Sequence, residues 1–380
     1  MSVEIYKNPV KIKFTDMAPE FNVKENFILN ILKERYSVEL SDEPDFLFYS
    51  CFSTNNFEYK NCVKIFIGGE PVFPNFNDCD YAIGYPKLTV PGRYLRVANM
   101  LGTSVGIQTS PDIQNRIVTD EMFDRRFCNF IYSNDCWGSG AKLRKEFCQK
   151  LMKYKKIDCP GRVLHNMDTD ELEQRRANNS INSLVQDYNW QESKKNFLTK
   201  YKFTIAFENL QIPGFYTEKL VNPFESYSIP IYWGDPEIVS EFNPKAFINV
   251  NAYDGDFEAV IERIIELDTD KNLYLSMLKE KPFRLDYDFT DVVRFRNFLF
   301  SIIDKGNTQV RNKDIMEINF WNNVSAQKFV NKISSLELSV SYKIYFKIKN
   351  LFRYKIFLPL KIFILGFYFL LRKVKHVIKR

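Results

Sequence analysis

Short apolar runs alternate with segments of helical spacing along the first hundred residues. Val10 to Phe14, Ser37 to Leu40, Phe46 to Tyr49, Val63 to Ile67 and Asp80 to Tyr85 are compact runs of Val, Ile, Phe, Leu and Tyr bounded by turn residues. Such runs predict strands. Between the first two, Phe27, Ile28, Ile31 and Leu32 recur at the period of a helix within Val23 to Arg35. Strands and helices in alternation predict an α/β layer. The stretch 102–119 is rich in Pro, Gly, Thr and Ser and reads as a linker. After it comes a strand from Phe127 to Ser133, a Gly138-Ser139-Gly140 turn, and a helical pattern from Ala141 to Tyr154. A second α/β domain is therefore expected from about residue 119.

The pattern is most informative over residues 201–233. An apolar run from Phe203 to Phe207 leads into a polar turn, Glu208 to Phe215. A helix start follows at Thr217, and a second strand-like run spans Ile229 to Trp233. This is a βαβ unit, whose ligands sit beyond the strand ends, near the helix N-terminus. Thr217 suits the N-cap and Glu218 the first turn. A helix N-terminus attracts phosphate, Lys219 adds a full charge, and Glu218 can accept hydrogen bonds from hydroxyls. Together they suit a sugar nucleotide, although a Glu-Lys pair at a helix start is more often a solvated surface pair. Helical spacing recurs over Phe257 to Leu267, Leu273 to Leu278 and Val292 to Ile303. The pattern fits two α/β domains in tandem or one doubly wound sheet.

Composition changes this picture at the C-terminus. The 380 residues are 45% hydrophobic and carry a formal charge of +6. Eleven of the 53 Lys and Arg fall after residue 337, where there is no acid, so the rest of the chain is slightly acidic. An acidic body argues against nucleic acid as a partner. The basic end, 338–380, contains Ile356 to Leu371, which is apolar but for Lys361 and is broken by Pro359. That run is shorter than the roughly twenty residues of a transmembrane helix. It predicts an amphipathic tail on an anionic membrane surface. The first twenty residues have no apolar core, so no secretory signal is expected. The location expected is cytoplasmic, peripheral on the inner face of the cell membrane.

Seven Cys without a CxxC, five of them in or beside apolar runs, point to buried thiols in a reduced compartment. With only two His, a histidine-based metal site or acid–base pair is not expected. Asp-x-Asp occurs at Asp78, Asp168, Asp268 and Asp286, as chance allows in a chain with 47 acids. No obligatory metal is expected, with Mn²⁺ at most a stimulant.

Two stretches carry a family resemblance: FENLQIPGFYTEK, residues 207–219, and SIPIYWGDPEIVSEFNPKAFINV, residues 228–250. Together they resemble the nucleotide-binding signature of the bacterial α-1,3-fucosyltransferases, and a weaker likeness runs from about residue 63 to about 300. The resemblance implies an α/β fold of two facing Rossmann-like domains, the GT-B arrangement. On this reading residues 1–118 form the acceptor-side domain and 119–305 bind GDP-fucose. Residues 306–337 close the body and 338–380 form the basic amphipathic helical tail.

The resemblance also implies inverting transfer of L-fucose from GDP-β-L-fucose to a GlcNAc hydroxyl of a Gal-GlcNAc glycan, in α-1,3 or α-1,4 linkage. Glu70, past the Val63–Ile67 strand and upstream of Pro-Asn-Phe-Asn and Asp-Tyr-Ala-Ile-Gly, resembles the family's catalytic base. Here Pro71 follows it directly, where the family usually has two residues between. Arg144, one turn into the helix after the Phe127–Ser133 strand, is similar to the family's phosphate-binding arginine. Lys219 is its partner cation, with Glu218 and Asn209 on the donor. The family's aromatic hydroxyl is replaced by Phe215, and Tyr216 is the expected substitute. Another nucleotide sugar, or glycan binding without turnover, are the rival readings.

Overall fold

A computed structural model describes residues 9–18, 21–70, 72–97, 111–135, 138–169 and 190–311. The tail expected at 338–380 lies outside the described residues.

Six strands form the first sheet: β1 (Val10–Thr15), β2 (Val38–Leu40), β3 (Phe46–Tyr49), β4 (Val63–Ile67), β5 (Tyr81–Gly84) and β6 (Tyr94–Arg96). Their order is β2-β1-β3-β4-β5-β6, and every neighbouring pair is parallel. Helix α1 (Phe27–Lys33) joins β1 to β2, capped by the Asn26 side chain on the Leu29 amide. The residues of β3, β4 and β5 are all buried. Continuous apolar runs are what a parallel sheet covered on both faces requires, and they make these strands legible in sequence.

The second sheet has five parallel strands in the order β11-β10-β9-β7-β8. They are β7 (Arg126–Asn129), β8 (Ile157–Asp158), β9 (Tyr201–Phe207), β10 (Ile229–Trp233) and β11 (Ile248–Asn249). The helices are α2 (Ser139–Leu151), α3 (Trp190–Leu198), α4 (Glu218–Glu225), α5 (Phe257–Thr269) and α6 (Lys271–Lys279). Strands β9 and β10 pair from Phe203 with Ile229 to Phe207 with Trp233, and α4 joins them as the expected βαβ unit. The chain is thus two parallel-sheet α/β lobes, not one doubly wound sheet. Both sheets reverse strand order once, at β1/β3 and at β7/β9, and ligands of such sheets bind at the reversal.

Two of the expected domain limits shift. A boundary at 305 would place helix α7 (Asp291–Ile303) with the second domain. Instead Phe295, Leu299, Ile302 and Ile303 pack in the core of the first lobe with Ile28, Leu32 and Ile65. The Tyr36 hydroxyl donates to Asp304 at 2.7 Å, and the amides of Val310 and Arg311 bind the buried Asp80 carboxylate. The apolar face of α7 finds the first sheet because that sheet leaves a face to cover, which local spacing cannot reveal. Residues 111–118, expected in the first domain, already pack on the second: Ile113 joins its core, and Gln114 exchanges two hydrogen bonds with the backbone of Phe283.

Candidate functional site

At the C-terminal end of β9 the chain turns through Glu208 and Asn209 and returns at Thr217 to start α4. Glu208 is fully buried. Its Oε1 accepts from the Thr217 amide and hydroxyl, both at 2.8 Å, and Oε2 lies 3.2 Å from the Lys219 ammonium. Thr217 caps α4 with its hydroxyl on the Lys219 amide and receives the Lys219 ammonium at 3.1 Å. Burial pushes the Glu208 carboxyl up, opposed by Lys219. Burial would also strip Lys219 of its proton, but Glu208 and Glu218 outweigh it and raise its pKa. Burial pushes Glu218 up as well, yet Lys219 and Lys194 pull its carboxyl down to about 2. The helix therefore begins with a fixed ammonium and a permanently ionised carboxylate, each only partly covered.

A second helix end meets the same loop. Helix α2 begins at Ser139 behind Gly138, with no side chain on its first amides. The Gly140 amide donates to the Asn209 carbonyl at 3.0 Å. A Cβ on Gly140 would lie 1.9 Å from the Glu208 carbonyl oxygen, and one on Gly138, at φ +85°, 2.2 Å from that of Asn209. The Gly-Ser-Gly turn is thus explained by close approach of α2 to the β9 loop, at the point where the strand order reverses. Two helix N-termini converge on one loop, an arrangement suited to a diphosphate.

Arg144, on α2, is 1% exposed. Its guanidinium lies 4.0 Å over the Tyr132 ring, donates to Asn209 Oδ1 at 2.8 Å, and reaches the Asn134 carbonyl at 2.5 Å. Its Nε has no hydrogen-bond partner among the described residues. Arg144 lies beneath Asn209, held by Tyr132 and the carbonyls around it, and burial lowers its pKa. Arg144, Asn209, Glu218 and Lys219 are brought into one neighbourhood by Glu208 and the β9 loop.

Tyr216 is not brought there. It is fully buried among Leu220, Phe224 and Phe242, and its hydroxyl is 3.0 Å from that of Tyr287. Phe215 is buried as well, edge-on to Tyr85 at 4.9 Å. Neither ring presents a hydroxyl beside Glu218 and Lys219, so the expected substitution of Tyr216 for the family's aromatic hydroxyl fails. Phe215 faces the first lobe through Tyr85, and Tyr216 turns into the core of the second.

Glu70 stands past β4, on the first sheet, half-buried. Gly69 before it borders open space: a Cβ added there would meet nothing within 4 Å. Among the described residues no three His, Cys, Asp or Glu side chains gather as a metal would require. Asp268, from one of the Asp-x-Asp pairs, is taken up by Lys155, Lys202 and Tyr154. Sequence reasoning missed Glu208, the buried carboxylate that organises the loop. Its signal was a charged residue ending an apolar strand, which burial in a low-dielectric site would have to pair.

Comparison with known proteins places this geometry. Residues 12–101 match the alpha-(1,3)-fucosyltransferase FucT N-terminal domain, and residues 128–294 match the C-terminal part of glycosyltransferase family 10, the fucosyltransferases. These two stretches make up more than half of the chain. The chain is 31% identical over 313 residues to the alpha-(1,3)-fucosyltransferase FucT of Helicobacter pylori, a match that spans 72% of this chain and 60% of that protein. A crystal structure of an alpha1,3-fucosyltransferase with GDP superimposes with a TM-score of 0.60 at 26% identity, over 81% of this chain and 94% of the other. One with GDP-fucose gives 0.56 at 27% identity, over 79% and 93%. Two parallel-sheet lobes in the GT-B arrangement, joined by this loop and these matches, mean that the chain belongs to the fucosyltransferases of glycosyltransferase family 10.

Proposed function

We propose that this protein is an inverting α-1,3-fucosyltransferase that moves L-fucose from GDP-β-L-fucose to a GlcNAc hydroxyl of a Gal-GlcNAc glycan, with α-1,4 transfer as a variant of the same reaction. The observation that carries the reading is the start of α4, where Lys219 is kept charged beside Glu208 and Glu218 at a helix N-terminus. A leaving diphosphate needs such a fixed positive site. Glu218, held ionised, accepts hydrogen bonds from ribose or fucose hydroxyls. Asn209 orients the donor, backed by Arg144, whose charge acts from beneath it.

Glu70 is the base. It takes the proton of the acceptor hydroxyl as that oxygen attacks the anomeric carbon. The bond to GDP breaks on the opposite face, so a β donor gives an α product. The phosphates are held by cations and helix ends, without an obligatory metal. Release of GDP from GDP-fucose with N-acetyllactosamine tests the function. Turnover with another nucleotide sugar instead, or glycan binding without turnover, would replace it. Retention of activity in EDTA tests the metal-free reading, and loss restored by Mn²⁺ would overturn it.

The tail supports a further reading, that residues 338–380 hold the enzyme on the cytoplasmic face of the membrane. Basic residues near an anionic surface contribute about 1 kcal/mol each, and eleven are present. The full chain should float with anionic vesicles and less so in high salt. Failure to float would remove the membrane from the description.

A further inference from the structure

The proposed base and the proposed donor site lie on different sheets. Glu70 follows β4, and the donor loop follows β9, yet transfer requires reacting atoms within roughly 3–3.5 Å of each other. Something must set the spacing of the two loops. Tyr85, at the end of β5, touches both, and Arg96, at the end of β6, ties Tyr85 to the donor loop.

Tyr85 is 3% exposed. Its hydroxyl donates to the carbonyl of Gly69, the neighbour of Glu70, at 3.4 Å. Its ring meets Phe215 of the donor loop at 4.9 Å with an interplanar angle of 82°. Arg96 uses its fork in three directions: Nε donates to the Tyr85 carbonyl at 3.1 Å, while Nη2 donates to the Gly214 carbonyl at 3.0 Å and pairs with Glu241 at 2.7 Å. The donor loop presses close at this point. Gly214 has φ +82°, and a Cβ there would lie 2.9 Å from Lys87, 3.0 Å from Arg96 and 3.0 Å from the Tyr85 carbonyl. Lys87 adds a rim contact to Glu237 and Ser240, both at 3.0 Å.

We propose that Tyr85 and Arg96 are positioning residues that hold the Glu70 loop and the donor loop at the spacing that transfer requires. The inference rests on the fucosyl-transfer reading. Neither residue needs to touch the substrate. A planar guanidinium can satisfy two carbonyls and a carboxylate at once, which an ammonium cannot do in the same geometry. The electrostatics agree with the placement: burial pushes the Tyr85 phenol well above its ordinary range, and Glu218, Glu70 and Glu208 all push it further. Carboxylates of the base loop and of the donor loop thus bear on the same phenol, which stays protonated and serves as a fixed donor.

The test uses the full chain with Tyr85→Phe and Arg96→Lys. Tyr85→Phe keeps the core ring, so it guards against a folding failure of the arginine variant. Measured per folded molecule, kcat should fall about 10- to 100-fold, the scale of an ångström of misplacement. GDP affinity by calorimetry should stay within about threefold. The fraction of GDP-fucose lost to water should rise against that passed to N-acetyllactosamine. A purely structural role would lower the melting temperature and leave kcat per folded molecule and the water-to-acceptor ratio unchanged, which overturns the inference. Loss of GDP affinity in step with kcat would also overturn it, since the residues would then build the donor pocket. If the unmodified chain shows no fucosyl transfer, the functional reading fails and this inference with it.

Discussion

Glu70 follows the end of a strand and Glu218 opens a helix, and their surroundings fit the two carboxylates for different work. Glu218 has two ammonium groups within 4 Å and a carboxyl pKa of about 2. The folded value lies below that of the unfolded chain, so its contribution to stability is present above about pH 4.5 and is lost as pH falls towards 2. It is ionised throughout the working range and cannot serve as a proton donor there. Glu70, the proposed base, belongs to the other lobe and is half-buried past a strand end. Glu70→Gln keeps the size and removes the proton acceptor. Transfer should fall by roughly 10²–10⁴-fold, with little change in GDP-fucose affinity, when initial rates and calorimetry are compared. Near-normal turnover would take Glu70 out of the mechanism. Lys219→Ala should behave otherwise, weakening GDP binding and rate together, because the diphosphate loses its charge partner in both ground and transition states. Unchanged GDP affinity would move the donor site elsewhere.

At the scale of elements, the site is a product of how closely α2 and α4 are brought to the end of β9. Helix α4 is held twice over, by the Thr217 hydroxyl on the Lys219 amide and by Glu208 on the Thr217 amide. Helix α2 has no capping side chain and is seated by backbone contact through Gly138 and Gly140. Gly140→Ala should therefore be costly. The added carbon meets the Glu208 carbonyl and the Trp233 ring, neither of which can step aside, and overpacking of this kind costs about 1–3 kcal/mol. Since Arg144 rides on the same helix, GDP affinity should fall as well. Thermal denaturation and GDP titration of the variant check both halves of this expectation, and an unchanged melting temperature would contradict the close approach.

At the scale of the whole molecule, the chain crosses back to the first lobe through α7, and the two lobes meet around Arg96, Lys87 and Glu241. Next to that contact lies Asp235, 1% exposed, whose Oδ1 accepts from the Glu237 amide at 2.8 Å and whose Oδ2 has no hydrogen-bond partner among the described residues. Burial raises its carboxyl to about 6, with Glu241 adding to the rise and Lys87 opposing it. A carboxyl that is more basic when folded favours the native state at low pH. Its favourable term is complete below about pH 4 and is lost as pH rises through 6. Asp235→Asn should thus raise stability at pH 7, by at most about 3 kcal/mol for a shift of this size, and flatten the stability profile between about pH 4 and 6. Denaturant unfolding across that range would show it, and a variant less stable at pH 7 would mean the ionised form is paired in a way this structure lacks.

The sequence by itself determined most of the elements and pointed to the loop proposed to hold the donor. Buried parallel strands must be apolar along their whole length, so β3, β4 and β10 are legible with the limits the structure has, and Thr217 announces α4 as its cap. The family signature at 207–219 singles out Asn209, Glu218 and Lys219 because it is local and the loop that carries it is local too. What tertiary structure decided were relations across distance. The short strands β6 and β8 are invisible in sequence, being too brief to show a pattern. Helix α7 could not be assigned to the first sheet, since an apolar face does not say which surface it will cover. Phe215 and Tyr216 could not be told apart, because adjacent residues face different ways and only the packing of Tyr287 and Tyr85 chooses between them. Glu208 looks like one acid among 47 until burial on the Thr217 amide and the Lys219 ammonium makes it the anchor of the loop. Spacing along a chain fixes which groups can be neighbours on one element. The cost of burying charge and apolar surface fixes which elements then meet.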